Sequence, residues 1–192
     1  MLKPRNIGML ACAFMIGWEA VAWAQPEKAS AAVGKAYYVQ ANMRFDAQNE
    51  IASLNLHEGE MLTIGTRVTI RSADGNRIAF SAEGRGDFVF LRDKYGQRLS
   101  IDEFFQRYFS DSDPLAPEAA IHRMSRLEQR NIADGTLAVG MSRTATLMAA
   151  GYPPPHRTAS TEDATWIYWI TRRRPFRVTF DADGKISELR GY

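Results

Sequence analysis

The sequence predicts an α+β fold, with a β-rich N-terminal half followed by two helices packed on a three-stranded antiparallel sheet. Two observations support this architecture. Short β-type runs separated by Gly-containing turns fill residues 36–91, which is typical of a small antiparallel barrel or a curled sheet. In the second half, two helical patterns precede apolar and alternating segments, among them Phe176–Phe180, where one residue in two is apolar, as in a half-buried strand.

The N-terminus has the three-part layout of a secretory signal peptide. Lys3 and Arg5 precede the apolar run of residues 8–18, and Ala22-Trp23-Ala24 matches a small-residue cleavage site. The apolar run is shorter than the roughly 20 residues that a transmembrane helix needs. We therefore expect a signal peptide at residues 1–24 and a periplasmic mature protein, with outer-membrane association as a further expectation.

The composition of the mature chain excludes several function classes. Cys12 is the only cysteine and lies within the predicted signal, where Met9-Leu10-Ala11 makes a poor lipidation site. Cleavage after Ala24 lowers the net charge from +2 to +1. A nearly neutral chain lacks the basic surface on which general nucleic-acid binding depends. We therefore expect neither thiol chemistry nor a nucleic-acid partner.

The N-terminal half begins after a short Ala- and Ser-rich segment, residues 25–35, which predicts a flexible tether. The predicted strands follow, and a helix with a Ser100–Glu103 capping box closes this half. The strand and helix segments are Ala36–Phe45, Thr66–Ile70, Arg77–Phe80, Asp87–Leu91 and Ser100–Tyr108. The polar run before Pro114 predicts a boundary, which gives domains at residues 36–110 and 111–192.

The second half predicts helix, helix and sheet in that order. One helix is expected over Pro117–Ala133 and a second over Arg143–Ala150, the latter capped by Ser142 and ended by Gly151. Strands are expected at Trp166–Ile170, Phe176–Phe180 and Lys185–Leu189, with a tight turn at Asp181–Gly184. We expect Trp166, Tyr168, Val178 and Phe180 to share one packed face against the helix that carries Leu147.

Four phrases of the second half occur in the order of a known envelope module. They are Val139-Gly140-Met141-Ser142, Gly151-Tyr152-Pro153, Trp166-Ile167-Tyr168 and Phe180-Asp181 with Gly184. This order resembles the SmpA/OmlA (BamE) family, which implies a helix-helix-sheet fold and a place in the bacterial envelope. In the first half, residues 62–68 resemble the entry strand of bacterial SH3-like barrels.

No catalytic or metal-binding constellation is recognisable. The three histidines, His57, His122 and His156, have no paired spacing. Ser142 lacks the second glycine and the preceding strand of a nucleophile elbow, and a helix cap accounts for it better. We therefore expect a protein that is not an enzyme and that needs no cofactor or metal.

Two loops supply the candidate binding residues. They are Tyr152, His156 and Arg157 in the Pro-rich loop, and Arg172, Arg173, Arg174 and Arg177 around the hairpin between the first two strands of the sheet. The arginines form either a solvated loop or an anion-binding edge that meets lipid headgroups or an acidic partner. Tyr152 is either an exposed contact or packs onto Trp166 or Trp169.

These observations favour a non-enzymatic interaction module of the bacterial envelope, linked to outer-membrane assembly or maintenance. Its partner would be an envelope protein or an anionic membrane surface. The alternative is a cell-wall-associated protein that binds peptidoglycan through its SH3-like half.

Overall fold

The computed structural model of the chain describes residues 28–192, so the predicted signal peptide lies outside the described residues. The N-terminal half contains eight short strands, β1 Ala36–Val39, β2 Met43–Phe45, β3 Glu50–Ala52, β4 Glu60–Leu62, β5 Arg67–Ala73, β6 Arg77–Ala82, β7 Gly86–Leu91 and β8 Phe109–Ser110. Six of them form one sheet in the order β3-β7-β6-β5-β1-β8, and β2 pairs with β4 separately. The expectation of a curled sheet is confirmed. One detail differs, because β3 pairs parallel to β7 and the sheet is therefore mixed.

The segment predicted as a tether is anchored to the N-terminal half through Ala29 and Ala32, which are both fully buried. Residues Lys28–Ala31 form a short helix, α1, in which Ala29 is fully buried. The backbone N–H groups of Lys28 and Ala29 each donate to the Asp102 carboxylate at 2.8 Å. Asp102 lies in the first turn of α2, Ile101–Tyr108. The prediction of a flexible tether is thus wrong from residue 28 onward, because a distant carboxylate satisfies these donors.

Local capping confirms one predicted helix and divides another. Helix α2 begins after Ser100 with both hydrogen bonds of the expected capping box. The single helix predicted over Pro117–Ala133 is wrong, because the chain forms a 3₁₀ turn at Ala120–Arg123 and a separate helix α3 at Arg126–Asp134. Ser125 starts α3 with a second capping box and has an extended backbone that a continuous helix cannot accommodate.

The remaining elements follow the expected order. Helix α4, Arg143–Ala150, is capped by Ser142, and the strands β9 Thr165–Thr171, β10 Arg174–Phe180 and β11 Ile186–Arg190 form an antiparallel sheet in the order β11-β10-β9. The Asp181 carboxylate closes the β10–β11 turn by accepting N–H bonds from Asp183 at 3.0 Å and Lys185 at 2.9 Å.

Two apolar cores lie side by side. The first joins α1 and α2 to the strands of the N-terminal sheet, and the second joins α3 and α4 to the three-stranded sheet. In the second core, Trp166, Tyr168, Val178 and Phe180 all face inward and are buried, as expected from their alternation. Leu147 packs at the margin of this core. The opposite face of the sheet is therefore left for solvent or for a partner.

Candidate functional site

Asn42 connects the two halves. Its side-chain Nδ2 donates to the carbonyls of Ile132 at 2.7 Å and Ala149 at 3.1 Å, and its Oδ1 accepts from the backbone N–H of Ile64 at 2.8 Å. The side chain is 3% exposed. Three segments that are distant in sequence therefore share one amide, and losing it would leave buried polar groups without partners.

The Pro-rich loop is positioned by a second asparagine. Asn55 Nδ2 donates to the carbonyls of Ala150 at 2.8 Å and Tyr152 at 2.9 Å. The Tyr168 hydroxyl donates to the carbonyl of Gly151 at 2.9 Å. Gly151 has a φ of +71°, and a Cβ there would lie 2.9 Å from Asn55 Nδ2. This close approach explains why the loop begins with glycine.

Tyr152 is part of the junction between the halves. Its ring meets Tyr108 edge-on at 5.6 Å, and the Arg107 guanidinium lies 4.9 Å from the ring centroid. Its backbone N–H donates to the Tyr108 hydroxyl at 3.2 Å. Burial raises the pKa of the Tyr152 hydroxyl. Of the two alternatives for Tyr152, the structure therefore has the packed one, but the ring packs against Tyr108 and not against Trp166 or Trp169.

His57 lies in the same junction. Its ring contacts the Tyr168 and Phe176 rings at centroid distances of 5.2 and 5.0 Å, and its backbone N–H donates to the Trp169 carbonyl at 2.8 Å. Burial, assisted by the charge of Arg44, lowers the pKa of His57 to about 4. His57 is consequently a neutral packing residue at neutral pH.

His156 is held in an aromatic stack that spans the halves. Its ring lies 4.9 Å from the ring of Tyr95 and 5.2 Å from that of Trp169, almost parallel to the latter at 29°. Burial, and the neighbouring charge of Arg157, lower the pKa of His156. His156 therefore holds the Trp169 ring in position, and its own ring is covered by Tyr95 and Trp169.

The predicted arginine cluster is divided between two places. Arg172 and Arg173 form the β9–β10 turn and are exposed, and Arg174 begins β10 opposite Thr171. Arg172 lines a groove that also contains the acidic residues Asp46, Glu50 and Glu58. Of the three, Arg172 therefore shares its groove with acidic side chains of the same chain.

Arg177 belongs to a different surface, the outer face of the three-stranded sheet. Here a groove of about 520 Å³ is lined by Arg157, Ile167, Trp169, Pro175, Phe176, Arg177, Arg190 and Gly191. We call it the sheet groove. It brings the predicted residues Arg157 and Arg177 together with Arg190, which sequence analysis missed. Its position two residues beyond Glu188 in an alternating strand is the signal that could have identified it.

Glu128 is a second residue that sequence analysis missed. Its carboxylate accepts from the backbone N–H and hydroxyl of Ser125 at 3.0 and 2.8 Å, and from the backbone N–H of Ser142 at 2.9 Å. Lys185 Nζ donates to it at 3.3 Å. Burial acts to raise the pKa of Glu128, but the hydrogen bonds from Ser142 and Ser125 outweigh it and lower the pKa to about 2. The Ser-x-x-Glu capping pattern could have identified this residue.

The structure also bears on two kinds of site considered in the sequence, a nucleophile at Ser142 and a metal site at the histidines. The Ser142 hydroxyl accepts from the backbone N–H of Ala145 at 3.2 Å, so it serves as a helix cap. Within residues 28–192, no group of three or more His, Cys, Asp and Glu side chains has the arrangement of a metal site. In the same range, no helix is long and apolar enough to cross a membrane.

The phrases that resemble the SmpA/OmlA family lie at positions that stabilise the fold. Gly140 has a φ of +93°, Met141 is fully buried, and Ser142 caps α4. Trp166 and Tyr168 are also fully buried. Comparison with family models, with curated proteins and with solved structures found no match to this chain.

Proposed function

We propose that this chain is a non-enzymatic interaction module of the bacterial envelope that acts in the periplasm and is linked to outer-membrane assembly or maintenance. The carrying observation is the sheet groove, which combines apolar and cationic side chains on the outer face of the three-stranded sheet. Protein interfaces are enriched in Trp and Arg relative to the rest of a protein surface. The signal pattern of residues 1–24 supports the compartment.

The family resemblance supports the proposal at the level of architecture. Its phrases occupy a helix cap, a buried core and a tight turn, which are positions that hold the module together. A shared framework leaves the partner open, because binding specificity depends on the side chains at the surface. The partner must therefore be argued from the exposed side chains of this chain.

The compartment is tested by N-terminal sequencing of the protein purified from cells. We expect a mature chain that starts near Gln25 and is recovered from the periplasm, because Ala22-Trp23-Ala24 is the cleavage site that the signal pattern predicts. An intact Met1 terminus in the cytosol would remove the envelope assignment, and lipid attached to Cys12 would indicate a lipoprotein instead.

The interaction role is tested by photo-crosslinking in intact cells. A photoreactive residue replaces Thr179, which lies two residues beyond Arg177 on the outer face of the sheet, and a control replaces the exposed Gln48 of the N-terminal half. We expect protein adducts at Thr179. Adducts at Gln48 alone, with sedimentation on purified peptidoglycan, would favour the cell-wall alternative. Absence of protein adducts at both positions would contradict the interaction role.

A further inference from the structure

The sheet groove has an apolar floor and a cationic rim. Ile167 and Trp169 of β9 and Pro175 of β10 supply the apolar surface, and Arg157, Arg177 and Arg190 supply three exposed guanidinium groups. The volume of about 520 Å³ lies within the range of about 300–1,000 Å³ that is usual for ligand sites. This combination suits a ligand that has both an apolar group and negative charge.

Strand register concentrates the positive charge at one point. Arg177 lies directly opposite Arg190 on β11 and directly opposite Ile167 on β9. Like charges at facing positions of an antiparallel pair destabilise the sheet. Only Arg190 has an acidic partner, Glu188 at 2.8 Å, and no ion pair of the described residues includes Arg157 or Arg177. Anionic groups of a ligand would relieve this repulsion.

Trp169, in the apolar floor of the groove, is held in place by contacts with both halves of the chain. Trp169 stacks on His156, whose other neighbour is Tyr95 of the N-terminal half. The Trp169 carbonyl also accepts the N–H of His57 at 2.8 Å. An aromatic side chain that is fixed before binding loses little conformational freedom on binding, which favours its use as an anchor.

Resting on the interaction role proposed above, we propose that the sheet groove binds an extended acidic segment of a partner protein. An apolar side chain of that segment packs on Trp169 and Ile167, and flanking carboxylates accept hydrogen bonds from Arg157, Arg177 and Arg190. Guanidinium groups match carboxylates in geometry as well as charge. An extended chain can reach the floor of a concave groove, whereas a flat layer of lipid headgroups would meet only its rim.

The test uses the purified mature chain and random octapeptides displayed on phage as the probe. Wild type is compared with a groove variant, Arg157→Ser with Arg177→Ser and Arg190→Ser. The matched control is a turn variant, Arg172→Ser with Arg173→Ser and Arg174→Ser, which loses the same charge outside the groove. Circular dichroism verifies folding, and the single change Arg177→Glu replaces the groove variant if the latter does not fold.

We expect wild type and the turn variant to select peptides rich in Asp and Glu with an apolar residue between them. A synthetic selected peptide should bind the groove variant at least about tenfold more weakly, because each hydrogen bond between charged groups contributes about that factor. Selection without acidic enrichment, or equal binding by wild type and the groove variant, would overturn the proposal. The proposal would also be overturned if the groove variant lost its flotation with phosphatidylglycerol vesicles but still bound the selected peptides as wild type does. Protein adducts at Thr179 in cells would still uphold the interaction role.

Discussion

The replacement Glu128→Gln tests the polar centre that joins α3, α4 and the β10–β11 turn. The Glu128 side chain is 6% exposed, and its two oxygens accept hydrogen bonds from Ser125, Ser142 and Lys185. A glutamine keeps one oxygen but turns an amide NH₂ toward donors. At least one backbone N–H then loses its partner, and the Lys185 ammonium loses its counter-charge.

The magnitude follows from the pKa. Folding lowers the pKa of Glu128 from 4.5 to about 2. The folded protein therefore favours the ionised carboxylate over the protonated acid by roughly 3 kcal/mol more than the unfolded chain does. A group whose pKa is lower in the folded state than in the unfolded state stabilises the protein at pH values above its unfolded-state pKa. The contribution is therefore complete above about pH 4.5 and is lost as the pH falls toward 2.

The assay is urea unfolding between pH 2 and pH 7. We expect Glu128→Gln to lower the free energy of unfolding by roughly 3 kcal/mol at pH 7. Near pH 2, where the wild-type carboxylate is itself substantially protonated, the two proteins should differ little in stability. Glu103→Gln is the matched control, because Glu103 holds the same capping-box position but is exposed. Only one oxygen of Glu103 accepts hydrogen bonds, from the backbone N–H and hydroxyl of Ser100, and the oxygen of a glutamine can replace it. We therefore expect Glu103→Gln to cost less than the roughly 1 kcal/mol of a lost cap. Equal losses in the two variants would refute the role assigned to the buried carboxylate.

Two further changes test the second core. Phe180→Ala removes a buried ring that lies 4.5 Å from the Trp166 ring, so we expect urea unfolding to show a loss of roughly 3–5 kcal/mol; a loss below about 1 kcal/mol would place this side chain at the surface. Folding lowers the pKa of His57 from 6.5 to about 4, so between these pH values the unfolded chain binds a proton that the folded protein does not, and stability falls as the pH drops. Between pH 7 and pH 5, wild type should therefore lose roughly 2 kcal/mol more than His57→Phe, and parallel stability curves would contradict the burial of a neutral ring.

Elements built on local signals could be predicted from the sequence. The helix after Ser100 has its capping residues beside it, and the strand Phe176–Phe180 shows its buried face by alternation. Elements that depend on distant partners could not be predicted. Strand β3 is three residues long and exists because it pairs with β7, and α1 begins where Asp102 accepts its first N–H groups.

The candidate surface was predictable only in part for the same reason. Alternation in β10 already places Arg177 on the outer face of the sheet, but the sequence contains no information on which residues of the other strands and loops lie beside it. Register places Arg177 opposite Arg190, and the β9–β10 turn places Arg172 beside Asp46 and Glu50. Two arginines only five positions apart thereby have different electrostatic surroundings, acidic around Arg172 and basic around Arg177.

By itself, the sequence determined the fold class, the order of the second-half elements and the inward face of the three-stranded sheet. Each of these depends on short-range periodicity and capping, which a chain carries within a few residues. Only the tertiary structure decided the junction around Asn42, the burial of Glu128 and the composition of the sheet groove. These depend on contacts between residues far apart in the chain, which form only when both cores are packed.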